Sequence, residues 1–337
     1  MNATMSLEKT KHYPVMLDQV LSIISPQHGG TFIDCTFGGG GYSQAILKFP
    51  KTEVFAIDRD VFTKKYANIL KEKFPTRFNF SQSKFSNINK IFNLNTKPKA
   101  IIFDLGLSSF QLSDNTRGFS FKSKGPLNMQ MGINKYSALD VVNFLDKKSL
   151  TDIIKILGEE KDGKLIADKI VKYRKEKMIK TSEELSNIIS IAKKQNKYYK
   201  KNPATKTFQA IRIFINQELT ELVFGLIEAT KLLVNGGILL VVSFHSLEDR
   251  IVKSFFNLYS NLKKNPSRYL PIMENKSILF HNLSKKPLIP QKDEIEKNNR
   301  SRSAKLRYVI RNKNLFFYPE EFKKKFTTLF QTEQIIL

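Results

Sequence analysis

Short apolar runs alternate with amphipathic stretches over the first hundred residues. Val15, Leu17, Val20, Leu21 and Ile24 recur at helical spacing after His12-Tyr13-Pro14. Strands are predicted at about 31–35, where Thr31-Phe32-Ile33 runs into Asp34, and at 53–58, where Val54–Ile57 runs into Asp58. Two more fall at 77–81 and over Ala100–Leu105, the last bounded by Pro98 and Gly106. Segments 41–49, 60–73 and 85–92 between them read as helices. Continuous apolar strands separated by helices predict a parallel sheet covered on both faces.

The next convincing strand is Gly237–Phe244, about 130 residues further on. One long helical pattern at 206–234 suffices for the crossover. The surplus predicts an inserted helical domain at 113–204, with the core formed by 1–112 and 205–337. Within the insert, helical spacing covers Ala138–Leu145, Leu150–Leu157, Lys164–Lys175 and Ser182–Lys194. Beyond the fifth strand, Leu247–Leu262 reads as a helix and Lys305–Ile310 as a final strand, while 312–337 has no assignable pattern. The fold class is therefore α/β, a doubly wound, mostly parallel sheet carrying a helical insert.

Charge adds a partner to this picture. The 337-residue chain has 56 basic and 31 acidic residues, a formal charge of +25. Such an excess fits a polyanion, nucleic acid ahead of membrane; lysine supplies most of it, and an A/T-biased genome also adds lysine. The positive charge concentrates at 161–206, with 14 basic against 5 acidic residues, and at 262–311, with 13 against 4. A single cysteine, Cys35, excludes an internal disulfide and a cysteine metal cluster. Four scattered histidines give no metal-ligand spacing, so no metal is expected. No signal peptide or membrane span is read, which points to the cytoplasm.

The candidate chemistry sits at strand ends. Four glycines, Gly38–Gly41, follow the first strand and lead into a helix beginning near Tyr42. Strand, glycine turn and helix form the nucleoside-binding start of a doubly wound domain. Asp58, closing the second strand, is placed to accept hydrogen bonds from ribose hydroxyls. Asp104 closes the fourth strand and faces the same crevice, followed by Ser108, Ser109 and Gln111. His245, after the fifth strand, is the histidine best placed for chemistry. Ser246 with Asp249 resembles a capping box.

In order along nearly the whole chain, these segments resemble one family. They are H-Y-P-V-M-L at 12–17, D-C-T-F-G-G-G-G-Y-S at 34–43, A-I-D-R-D at 56–60 and D-L-G-L-S-S-F-Q-L at 104–112. R-G-F-S-F at 117–121, G-P-L-N-M at 125–129, P-A-T-K-T-F-Q-A-I-R at 203–212, S-F-H-S-L-E-D-R-I-V-K at 243–253 and N-N-R-S-R-S-A-K-L-R at 298–307 complete the set. The family is that of the bacterial small-subunit ribosomal RNA cytosine-N4 methyltransferases, RsmH or MraW. The resemblance implies a Rossmann-like methyltransferase core that uses S-adenosylmethionine. It also implies a donor site of Gly40, Gly41, Tyr42, Asp58, Phe85, Asp104 and Gln111, with the Phe85 ring packing on adenine. The implied substrate is the cytosine at 16S rRNA position 1402 in the decoding centre, probed as naked rRNA or within the small subunit. Family members usually carry histidine at Tyr42, a larger residue at Gly39, and D-M-R-M-D where this chain reads Asn128-Met129-Gln130-Met131-Gly132.

Methylating an exocyclic amine requires its nitrogen in line with the methyl group and an acceptor for its N–H. Asp104 is the first choice for that acceptor and His245 the second. The target base must leave its stack, while the insert and the basic region at 298–311 grip backbone. Three other readings compete. A DNA amino-methyltransferase calls for D/N-P-P-Y/F where this chain has D-L-G-L-S-S. A nicotinamide dehydrogenase calls for a different glycine spacing. A non-catalytic RNA-binding or assembly factor on a degenerate fold draws on the changes at 128–132. Oligomeric state is left open between monomer and homodimer.

Overall fold

The computed structural model describes residues 14–92, 97–132, 134–193, 202–260, 278–281 and 286–336. The expected motif residues His12 and Tyr13, the ends of two expected helices (Lys194; 261–262) and parts of both basic stretches lie outside them. The chain divides into two compact units: Met1–Asp58, Phe62–Gly106 and Glu228–Phe316 form the first, and Arg59–Val61, Leu107–Ile227 and Phe317–Leu337 the second. Residues 59–61, 107–112, 205–227 and 317–337, which the sequence pattern gave to the core, thus belong with the insert.

The first unit holds a seven-stranded sheet: β1 (Gly30–Asp34), β2 (Thr52–Asp58), β3 (Phe78–Gln82), β4 (Pro98–Asp104), β5 (Ile238–Ser243), β6 (Phe280–His281) and β7 (Lys305–Arg311). Their order is β3-β2-β1-β4-β5-β7-β6. β1 to β5 pair in parallel, and β7 lies antiparallel to both β5 and β6. This is the mostly parallel, Rossmann-like sheet of the methyltransferase type. Ala100–Phe103 are fully buried, as the unbroken apolar run requires. Phe32, Val54, Phe78, Ile102, Leu240 and Val242 pack with Val20 and Ile24 of the helix Leu17–Ile24. Fully burying an aliphatic or phenyl side chain of this kind stabilises by roughly 1.5–3 kcal/mol. In β7, Leu306 and Val309 are buried between partly exposed neighbours.

The second unit is helical. Ser137 with Asp140 starts the helix Ala138–Phe144, and Thr181 with Glu184 starts Ser182–Ala192, each through a reciprocal capping box. A π-helical turn, Ile153–Leu157, precedes Gly163–Arg174. The long helix expected at 206–234 is two helices, Thr205–Asn216 and Glu218–Leu232. Gln217 breaks them apart in the left-handed region, at φ 49°. An Arg212–Glu218 ion pair of 2.7 Å spans the break. Among the described residues no helix is long and apolar enough to cross a membrane.

The C-terminal stretch with no readable pattern forms helices Glu320–Lys325 and Thr327–Glu333. Its last turn explains the break at Gln217. The buried Glu333 carboxylate accepts the amides of Leu219 and Thr220, both at 2.9 Å, at the start of the second helix. Burial pushes the Glu333 pKa up to about 7, against the pull of these hydrogen bonds. Folding therefore favours the protonated acid, and its contribution is complete below the ordinary carboxylate pKa and lost as pH rises through 7. Glu333→Gln should flatten the fall in stability between pH 5 and 8, worth on the order of 3 kcal/mol. Thermal melts of both proteins across that range measure it.

Candidate active site

Because β1, β2, β4 and β5 run parallel, their carboxyl ends share one edge of the sheet. Ligands of open α/β sheets bind outside that edge. β1 ends in the buried Asp34, which accepts Ser43 Oγ at 2.7 Å and the Thr36 amide at 3.2 Å. Thr36 Oγ1 in turn accepts the Asp104 amide at 2.7 Å, fastening the turn after β1 to the end of β4. Burial raises the Asp34 pKa, and the Ser43 and Thr36 hydrogen bonds oppose it.

Asp58 Oδ2 accepts the Gly38 amide at 2.7 Å, so the β2 carboxylate also organises the glycine turn. Gly40 sits at φ 79°, where a Cβ would lie 2.8 Å from the Phe37 ring. A Cβ on Gly41 would lie 2.4 Å from Pro14 Cγ. Packing alone therefore demands both glycines, whatever ligand the turn holds.

Tyr42 is turned inward. Its ring joins the core and its hydroxyl donates to the Val15 carbonyl. Burial pushes its pKa well up, with Asp104, Asp34 and Glu294 adding to the effect. The Ser83 amide donates to the Asp58 carbonyl at 2.9 Å, which brings the chain after β3 to the same edge. Phe85 lies there with its ring edge-on to Phe103, centroids 5.2 Å apart.

Asp104 is the most unusual group. The residue is partly exposed, yet Oδ1 is sealed from solvent and has no hydrogen-bond partner among the described residues. Burial pushes its pKa well above the usual carboxylate range, and the charges of Asp34 and Glu248 push the same way. A buried polar atom without a partner is costly, and such perturbed groups concentrate at functional sites.

His245 is tied to the start of the helix Ser246–Ser260. Its Nδ1 accepts the Glu248 amide at 3.4 Å, and Nε2 lies 3.1 Å from Glu248 Oε1, out of line for a hydrogen bond. Glu248, rather than Asp249, takes the amides at this turn, those of Phe244 and His245. Asp249 instead binds Lys305 and Arg307 of β7.

Gln111 lies in the second unit. Its Oε1 accepts the Ser108 amide at 2.9 Å, closing a capping box that also engages Ser108 Oγ. Its Nε2 donates to Asp60 Oδ2 at 2.7 Å, and the same oxygen pairs with the buried Arg117 at 2.8 Å. Arg117 also donates to the Gln130 carbonyl at 2.7 Å. Neither Asp60 nor Arg117 stands out in the sequence as a site residue; the second carboxylate in A-I-D-R-D is the available signal. Thr36, Ser43 and Glu248 were missed too, because their roles are contacts between strand ends.

The polar groups of the loop at 128–132 are satisfied largely by residues outside it. Asn216 accepts the Met131 amide and donates to the Met129 carbonyl, and Gln130 donates to the carbonyls of Asn134 and Tyr136. Gly132 sits at φ 124°, with a Cβ position 2.7 Å from the Arg59 carbonyl. Gly132→Asp should therefore destabilise by about 1–3 kcal/mol, read as a lower melting temperature.

The sheet order and the acidic strand ends beside a glycine turn are those of a Rossmann-like, doubly wound domain with its ligand edge at these residues. The model of the MraW methylase family matches residues 9–312. A curated relative from Ehrlichia ruminantium (strain Gardel), named ribosomal RNA small subunit methyltransferase H, is 42% identical over 305 residues, spanning 89% of this chain and 99% of the relative. Proteins of the same name from Ehrlichia chaffeensis and Afipia carboxidovorans are 43% identical over 304 residues and 40% over 314. These span 89% and 92% of this chain and 99% and 93% of the relatives. The chain belongs to the MraW methylase family.

Proposed function

We propose that this protein transfers a methyl group from S-adenosylmethionine to the N4 amino group of a cytosine in the decoding centre of 16S rRNA. It acts in the cytoplasm on the rRNA or the small subunit. The observation that carries this reading is the unpartnered, buried Oδ1 of Asp104 at the strand edge that also presents Asp58. The donor set suits the cofactor: a carboxylate at Asp58 for ribose hydroxyls, the turn at Gly40 and Gly41, an aromatic ring at Phe85, and Asp104. Gln111, which the resemblance also implies, lies in the second unit. Tyr42 offers its backbone rather than its hydroxyl, which Val15 engages.

When bound, the cofactor supplies an electrophilic sulfonium methyl. Asp104 accepts the N–H of the incoming amine, keeps the nitrogen lone pair available and stabilises the positive charge that develops on it. His245, held against Glu248, orients the end of β5. The alternative of a non-catalytic rRNA-binding factor draws on the neutral loop at 128–132, its polar groups satisfied largely by residues outside it. Calorimetric titration with S-adenosylmethionine separates the two. Saturable one-site binding is expected, and no heat of binding under any condition that preserves the fold favours the scaffold.

A further inference from the structure

We infer that Arg300 and Arg302 form a phosphate clamp for the RNA backbone at the ligand edge of the sheet; the RNA rests on the reading above. β7 is antiparallel, so its first residue, Lys305, pairs with Ser243, the last of β5. The turn Asn299–Ser303 therefore enters the sheet at the edge where Asp34, Asp58 and Asp104 end.

This turn is fixed rather than loose. Asn298 Oδ1 accepts the Arg300 amide at 3.3 Å, Ser301 Oγ donates to the Asn298 carbonyl at 2.8 Å, and the Ala304 amide donates to the Ser301 carbonyl at 2.7 Å. Ser301 and Ala304 are buried, while Arg300 and Arg302 on either side of Ser301 are exposed. The preceding helix, Lys292–Lys297, is anchored as well: Glu294 Oε1 accepts the Met16 amide at 2.7 Å. Val15, next along, accepts the Tyr42 hydroxyl. The helix before the arginine turn and the helix after the glycine turn thus hold one common segment.

Charge separates these arginines from their neighbours. Lys305 and Arg307 share the Asp249 carboxylate, at 3.0 and 2.7 Å. Arg300 and Arg302 have no acidic partner among the described residues, although Asp293 and Glu296 stand on the helix just before them. Two exposed arginines carried on a hydrogen-bonded turn, with no acidic partner among the described residues, suit bidentate recognition of phosphate oxygens. They set the position of the strand and carry no base preference.

The test measures methylation kinetics and salt-dependent binding with small-subunit rRNA for wild type, Arg300→Ala, Arg302→Ala, the double alanine variant and the double lysine variant. Each alanine is expected to raise the KM for RNA about 10-fold with kcat unchanged. The double variant is expected to reduce the slope of log affinity against log salt by about 1 to 2. Lysines keep the charge and should restore the slope without restoring the full KM. Affinity for S-adenosylmethionine and melting temperature should not move, and Lys48→Ala, an exposed lysine just past the helix Gly41–Leu47, should change neither KM nor slope. An unchanged RNA KM and slope in the double alanine variant overturns the clamp while wild type still methylates. A wild type that methylates no small-subunit rRNA overturns the functional reading instead.

Discussion

Asp104→Asn should lower methyl transfer by about 100-fold or more and, in the same protein, raise stability at neutral pH. The first effect follows from replacing the carboxylate, the strongest available acceptor at the β4 end, by a neutral amide with one weaker accepting oxygen and no charge to offset the positive charge developing on the amine. The second follows from burial. Asp104 Oδ1 is sealed and unpartnered, and Asp34 and Glu248 oppose its ionisation. The unfolded aspartate ionises near pH ~3.9, whereas the folded one holds its proton to a higher pH. Between these values the folded state binds more protons, so stability falls as pH rises. Asparagine removes that slope, and the gain at neutral pH should be about 1–3 kcal/mol. In wild type the accepting carboxylate forms only above the raised pKa, so the rate should climb with pH through a region above ordinary carboxylates. Single-turnover rates against pH and paired thermal melts measure both. A variant that loses activity and stability together contradicts this assignment.

Asp58→Ala should weaken S-adenosylmethionine binding by about 10- to 100-fold. Two losses combine here: the ribose acceptor disappears, and the Gly38 amide loses the partner that holds it at 2.7 Å. Asp58→Asn keeps one accepting oxygen and should fall between the two. Calorimetry on the three proteins measures this, and equal affinities would remove Asp58 from the donor site.

Much of this edge was legible in the chain because the same residues that form a buried strand also announce where it stops. Ile33-Asp34, Ile57-Asp58 and Phe103-Asp104 each switch from apolar to acidic at the point where the strand leaves the sheet. The glycine turn was equally plain, although half of its demand for glycine comes from Phe37 and Pro14. Direction was not legible. Nothing in G-G-Y-S says that Tyr42 points at Val15, and nothing in S-F-H-S says that Glu248 rather than Asp249 takes the amides. The break at Gln217 was hidden because a lone left-handed glutamine leaves helical periodicity intact on both sides. β6 is only two residues long, and the helices Glu320–Lys325 and Thr327–Glu333 span fewer than two turns each, too short for a period to register.

The central claim is most directly tested by mass spectrometry of small-subunit rRNA from cells with and without this protein. N4-methylcytidine at a decoding-centre cytosine is expected when the protein is present, and its loss is expected when the protein is absent or carries Asp104→Asn. N4-methylcytidine at the same level in all three would contradict the claim.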